Sequence, residues 1–268
     1  MTTQFTEVQI AGPAGALRLH HTAAGSSSAS ALPVLFIHPI NLQGRIWMDV
    51  CDRLTGDRQL ILPDLRGHGA SAPRGPYDVR NYVDDCIAAL DHLGVDRVHA
   101  TGGSLGGAIA CGLAARHPQR VASVAALGSG LYFGDAKLEL VLDTLAEMGP
   151  MEMFRDVFPK ITFGPQCDPR IIEYALTIAN PNTTEVVSEI WRGVMATDER
   201  ASARAVQRPA LVVTGEHDLT CPVAMGLEMA RLLRTNLVVI PEIGHMPMLE
   251  SPDAVAALLE SHWAQAER

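Results

Sequence analysis

Val98-His99-Ala100-Thr101-Gly102-Gly103-Ser104-Leu105-Gly106-Gly107-Ala108-Ile109-Ala110 is the stretch on which the reading of the fold turns. Its first four residues read as a strand buried on both faces, the next five carry Gly-x-Ser-x-Gly, and the small residues running to His117 read as a helix ended by Pro118. A serine at such a strand-turn-helix corner sits in strained backbone. The positions two before and two after it must then lack bulky side chains, and both are glycine. Gly107, Ala110 and Ala114 let the helix lie close to the sheet. A glycine-rich turn whose serine only caps the helix would show the same letters, so the motif alone does not make Ser104 a nucleophile.

Outward from this corner, Pro33-Val34-Leu35-Phe36-Ile37, Gln59-Leu60-Ile61-Leu62 and residues 121–127 are further apolar runs of the buried-strand kind. A helical stretch over residues 79–93 lies between two of them. Strands alternating with helices predict a parallel, doubly wound sheet with right-handed crossovers. Residues 4–21 alternate loosely and break at Gly12-Pro13-Ala14-Gly15, which predicts an antiparallel pair at one edge, followed by the loop Gly25-Ser26-Ser27-Ser28.

From Tyr132 to Val206 no strand-like run occurs, and Gly149-Pro150, Gly164-Pro165 and Asn180-Pro181-Asn182 separate helical segments. The strand pattern returns at Pro209-Ala210-Leu211-Val212-Val213 and Leu237-Val238-Val239-Ile240, with helices from about Pro222 and from Pro252 to Ala264. The expected organisation is an α/β core of residues 1–131 and 207–268 interrupted by a helical cap over 132–206.

At 268 residues, with 47% hydrophobic and 19% charged residues, the chain can bury a substantial core. A net charge of -9 and the lack of any Lys/Arg run argue against nucleic acid as a partner. The first seven residues lack a signal-peptide pattern and no apolar run has membrane-spanning length, so the expected location is the cytoplasm, away from membranes. Five irregularly spaced cysteines with no C-x-x-C suit reduced thiols. The ten histidines form neither H-x-H nor H-E-x-x-H, so no metal or other cofactor is expected.

A serine at its ordinary pKa needs an adjacent base, and that base needs a partner to fix its tautomer. Val212-Val213-Thr214-Gly215-Glu216-His217-Asp218 places Asp218 just past the C-terminal end of one strand; Ile240-Pro241-Glu242-Ile243-Gly244-His245 places His245 past the next. Catalytic groups collect at such strand ends in open α/β sheets. Asp135, after the strand over 121–127, is the reserve acid. Glu216 and His217 are expected to point away or support the loop. Charge developing on an attacked carbonyl oxygen needs backbone donors. Leu105 N–H, at the start of its helix, is one. Ile40 N–H, in the loop His38-Pro39-Ile40-Asn41, is the other, because Pro39 has no N–H.

With the elbow, the order Ser, Asp, His and the loop Pro63-Asp64-Leu65-Arg66-Gly67-His68-Gly69-Ala70-Ser71, nearly the whole chain resembles the α/β-hydrolase fold superfamily. The resemblance implies structural roles for Arg66 and His68. His38-Pro39 stands where that superfamily usually has His-Gly, which alters the turn. The motif order and short helical insertion look closest to 3-oxoadipate enol-lactonases, small carboxylesterases and hydrolases of aromatic ring-cleavage products. Serine rather than aspartate at the elbow argues against haloalkane dehalogenases and epoxide hydrolases.

The resemblance implies hydrolysis of a small-molecule ester or lactone. C–C hydrolysis of a vinylogous diketone, a cofactorless lyase or perhydrolase, and a ligand-binding receptor of the same fold are the alternatives. A homodimer is compatible with the sequence. The insertion is expected to cover the triad, with Met148, Met151, Met153, Phe154, Phe158, Trp191 and Met195 as apolar candidates and Trp47 and Met246 reaching the pocket from the core. A carboxylated substrate would call for a cation, with Arg45, Arg155 and Arg192 as candidates.

Overall fold

The computed structural model describes residues 2–23, 31–134 and 138–268. The serine loop at Gly25-Ser26-Ser27-Ser28 and the reserve acid Asp135 lie outside the described residues. The strands are β1 (Thr6–Gly12), β2 (Gly15–His21), β3 (Val34–Ile37), β4 (Leu60–Pro63), β5 (Val98–Gly103), β6 (Val121–Leu127), β7 (Ala210–Gly215) and β8 (Leu237–Ile240). They form one sheet in the order β1-β2-β4-β3-β5-β6-β7-β8, and β2 alone runs against the others. The core helices are α1 (Met48–Cys51), α2 (Val79–His92), α3 (Leu105–Arg116), α9 (Val223–Leu233), α10 (Pro247–Glu250) and α11 (Pro252–Ala266); between β6 and β7 the chain inserts α4 (Leu138–Asp156), α5 (Phe158–Thr162), α6 (Pro169–Thr177), α7 (Thr184–Met195) and α8 (Arg200–Ala205).

The alternation of side chains along each strand builds a core on each face of the sheet. Leu35 and Ile37 of β3 pack on one side with α2, α3 and α9, while Val34 and Phe36 pack on the other with α1, α11 and part of the insertion. The continuous apolar runs are thus strands covered on both faces. Each such buried Leu, Ile or Phe contributes roughly 1.5–3 kcal/mol against the entropy of ordering the chain.

Strand register places the site. Ile37 pairs with Gly102 and Gly215 with Ile240, so β3 and β5 end together and β7 and β8 end together, on the same edge of the sheet. The connection after β3 leads to β4 on one side, while the one after β5 leads to β6 on the other, and ligand sites form at such a reversal.

The insertion follows the sequence reading at Gly149-Pro150: α4 is two helical segments that meet at a kink there, with Gly149 non-helical at φ 78°. Asn180 and Asn182 both donate side-chain N–H groups to Gly67 O (2.8 Å each), which pins the insertion to the core loop that carries Arg66. Arg66 is buried and forks onto Asp85, with Nε to Oδ2 at 2.8 Å and Nη2 to Oδ1 at 2.6 Å, so its charge is spent inside the scaffold. Among the described residues, no helix is long and apolar enough to cross a membrane.

Candidate active site

Ser104 sits between β5 and α3 with φ 50° and ψ -118°, and its N–H donates to Leu127 O at 2.9 Å. A Cβ on Gly102 would lie 2.0 Å from Gly106 O, and one on Gly106 would lie 2.3 Å from Ile37 O. The glycines two before and two after the serine are therefore required by close approach of backbone to backbone.

His245 Nδ1 lies 3.0 and 2.9 Å from the two carboxylate oxygens of Asp218, and its Nε2 lies 3.0 Å from Ser104 Oγ. Because an ionised carboxylate can only accept, Nδ1 carries the proton and Nε2 is left to accept from the Ser104 hydroxyl. Asp218 is oriented in turn by the backbone N–H groups of Thr220 (2.9 Å) and Cys221 (2.7 Å). All three side chains are buried, and loops after three different strands deliver them. Glu216 and His217 are exposed.

The loop after β3 is held by His38. Its Nδ1 donates to Pro39 O (2.7 Å) and its Nε2 accepts from Leu65 N–H (3.0 Å), an arrangement that only the neutral ring can make. Burial and the neighbouring His68 hold its pKa well below the ordinary value, in agreement with that arrangement. With proline in place of glycine after His38, the left-handed residue of the turn is Asn41, at φ 60°. Leu105 N–H opens α3 and has no intrahelical acceptor, and no backbone acceptor for Ile40 N–H occurs among the described residues.

Above Ser104 and His245 lies a cavity of about 460 Å³, within the range of small-molecule sites. Of the residues read from the sequence as substrate contacts, Phe154, Trp191 and Met246 line it, as do Met153 and Phe158. Trp47, Arg45, Met148 and Arg192 do not. Trp47 is fully buried, its ring 5.1 Å from that of Phe36, so it packs beneath the elbow. Arg45 is exposed and donates to Gln43 Oε1, and Arg192 and Arg155 are exposed on the insertion. Met148 is partly buried just before the α4 kink, and Met195 is buried within the insertion. Helical spacing gave these residues a common face but could not say which way the kinked helix would turn it.

Glu250 was missed by the sequence reading. Its carboxylate accepts N–H bonds from Gly244 (3.1 Å) and Met246 (3.2 Å), which flank His245, and from Gly164 in the insertion (2.7 Å). Burial raises its pKa while the three N–H donors oppose that rise. His245 N–H itself donates to Thr162 O, so the histidine loop and the insertion are stitched together. The five-residue offset from His245 to Glu250 was visible, but not the fold-back through α10 that makes it useful.

The profile of the alpha/beta hydrolase fold family matches residues 33–252. The chain is 29% identical over 227 residues to 2-hydroxymuconate semialdehyde hydrolase of Pseudomonas putida, covering 80% of each chain. It is 24% identical to 3-oxoadipate enol-lactonase 2 of Acinetobacter baylyi, covering 91% of this chain and 92% of that one. Its fold is similar to that of a thermophilic esterase from Thermogutta terrifontis, with a TM-score of 0.84, 24% identity and coverage of 98% and 100% of the two chains. The match over residues 33–252, on a mostly parallel eight-stranded sheet, makes the chain a member of the alpha/beta hydrolase fold family.

Proposed function

We propose that the protein hydrolyses a carboxylic ester or lactone through an acyl-enzyme on Ser104. The observation that carries this reading is the unbroken hydrogen-bond chain Ser104–His245–Asp218 at the floor of a largely apolar cavity. Ser104 Oγ attacks the carbonyl carbon as His245 Nε2 takes its proton. The negative charge of Asp218 stabilises the imidazolium that forms. Leu105 N–H and Ile40 N–H receive the charge on the carbonyl oxygen, where loss of one such donor typically costs about 10²–10³ in rate. His245 then protonates the leaving alkoxide or enolate, and a water activated by the same nitrogen releases the acid.

A second reading has one specific support, the similarity to a 2-hydroxymuconate semialdehyde hydrolase: cleavage of a C–C bond in a vinylogous diketone by the same three residues. The test sets a p-nitrophenyl ester panel and an enol-lactone beside a ring-cleavage dienoate, together with fluorophosphonate labelling. Ester or lactone turnover with an adduct on Ser104 is the expected result. Turnover of the dienoate alone would move the assignment to C–C hydrolysis. A folded protein with no adduct on Ser104 would overturn both and favour pure ligand binding.

A further inference from the structure

The insertion gives the cavity above Ser104 a wall of hydrocarbon. Both segments of α4 reach it, Val141 from before the kink and Met153 and Phe154 from after it, and Val157 and Phe158 continue it into α5. The rings of Phe154 and Phe158 pack 5.0 Å apart, which ties the two helices together along this wall. At about 460 Å³ the space is about three times the size of an apolar cavity of about 150 Å³ that stays dry and takes up benzene. An acetyl group on Ser104 would leave most of it empty, and the wall around an empty space forfeits its dispersion contacts.

The same apolar surface runs out to solvent. Leu140 and Ile161 line the cavity yet are 69% and 44% exposed, so they stand at its mouth. Leu219, 62% exposed, lies between Asp218 and Thr220, and Thr220, itself in the wall, donates its hydroxyl to Ile161 O at 3.1 Å. Single exposed apolar side chains are ordinary, but three large ones beside one catalytic opening prolong the track that the wall begins. The chemistry says which part of an ester uses it. The leaving alcohol departs after the first step, whereas the acyl group stays on Ser104 Oγ until water releases it, so the wall that closes over Ser104 is the acyl group's wall.

Resting on the reading of Ser104 as an acyl-accepting nucleophile, we infer that the substrate carries a medium-length hydrocarbon acyl chain, which lies along α4 and α5 and reaches the opening at Leu140 and Ile161.

The test is kcat/KM for p-nitrophenyl acetate, butyrate, hexanoate and octanoate, kept below micelle-forming concentrations and with the spontaneous rate subtracted. A methylene taken fully out of water is worth about fourfold and a half-buried one about twofold, so the six that separate octanoate from acetate should raise kcat/KM by at least about 50-fold. A smaller ratio would mean that less than half of the chain is buried and would overturn the inference. Leu140→Ser combined with Ile161→Ser changes two exposed side chains and should leave the thermal melt near that of the parent, while lowering the octanoate-to-butyrate ratio by about 3- to 10-fold. Val157→Trp, which fills the cavity, should lower the same ratio. A merely structural role would move both esters together, and an unchanged ratio in both variants would overturn the assigned path. Octyl acetate preferred over ethyl acetate, with no gain along the acyl series, would give the wall to the leaving group and overturn the inference while the esterase reading stands. No turnover of any ester together with no fluorophosphonate adduct on Ser104 would overturn that reading, and the inference with it.

Discussion

The carboxylate of Glu250 grips the backbone on both sides of His245, through Gly244 N–H at 3.1 Å and Met246 N–H at 3.2 Å, and reaches Gly164 N–H in the insertion at 2.7 Å. It fixes the histidine without touching it. Glutamine at this position keeps one acceptor oxygen but turns an NH₂ toward N–H donors, so the loop should shift. A displacement of about 1 Å at a catalytic group costs on the order of 10²-fold, so Glu250→Gln should lower kcat by about 10- to 100-fold. KM for a short neutral ester should change much less. A thermal melt run alongside separates this from unfolding: a kcat unchanged in folded variant would show that the carboxylate only supports the fold.

Ser104, His245 and Asp218 share one hydrogen-bond chain, so their deletions should not add. Ser104→Ala and His245→Ala should each cost about 10⁶ in kcat, and the double variant should be little worse than either. Asp218→Asn, which favours the wrong tautomer of His245, should cost about 10⁴. Kinetics with a chromogenic ester decide this, and multiplicative losses in the double variant would mean that the two residues do not work as a unit.

Gly102 has no room for a methyl group, because its Cβ would stand 2.0 Å from Gly106 O, a backbone atom of the adjoining helix. Gly102→Ala must therefore push α3 away from β5. The expected loss is more than about 4 kcal/mol, in the class of severe backbone and overpacking defects. Chemical denaturation reads it directly, and a midpoint within error of the parent would contradict the close approach.

His68 is fully buried beside His38, with ring centroids 4.9 Å apart, and burial holds its pKa down to about 4 from the ordinary 6.5. The folded protein thus keeps His68 neutral over a range in which the unfolded chain binds a proton. Its contribution is fully present above pH 6.5 and is lost progressively as the pH falls toward 4, by an amount on the order of 3 kcal/mol. Denaturant midpoints taken at pH 7, 6, 5 and 4.5 should fall across this window. His68→Gln should flatten the fall, and an equally steep fall in that variant would assign the acid sensitivity to other groups.

The fold was legible because its signals are local. Apolar runs such as Val34 to Ile37 are strands buried on both faces, and Gly102 is demanded by Gly106 O four residues on, although Gly106 is itself demanded by Ile37 O from a distant strand. Gly149-Pro150 was legible for the same reason, since a non-helical glycine followed by proline breaks α4 into two segments there. The cavity lining was only partly legible. Phe154 and Trp191 reach the cavity, whereas Trp47 is absorbed by the packing under β3 and the candidate arginines remain in solvent.

By itself, the sequence determined the α/β architecture, the strained corner at Ser104 and the order in which Asp218 and His245 follow it, because periodicity, turn chemistry and strand ends are written in short stretches of chain. Only the tertiary structure decided that His245 Nε2 meets Ser104 Oγ across 141 residues, that Glu250 ties the histidine loop to Gly164 of the insertion, and that Phe154, Trp191 and Met246 share one cavity with Ser104. Those are meetings between segments far apart in sequence. They depend on the register of β3 against β5 and of β7 against β8, and on how a kinked helical insertion settles over the end of the sheet.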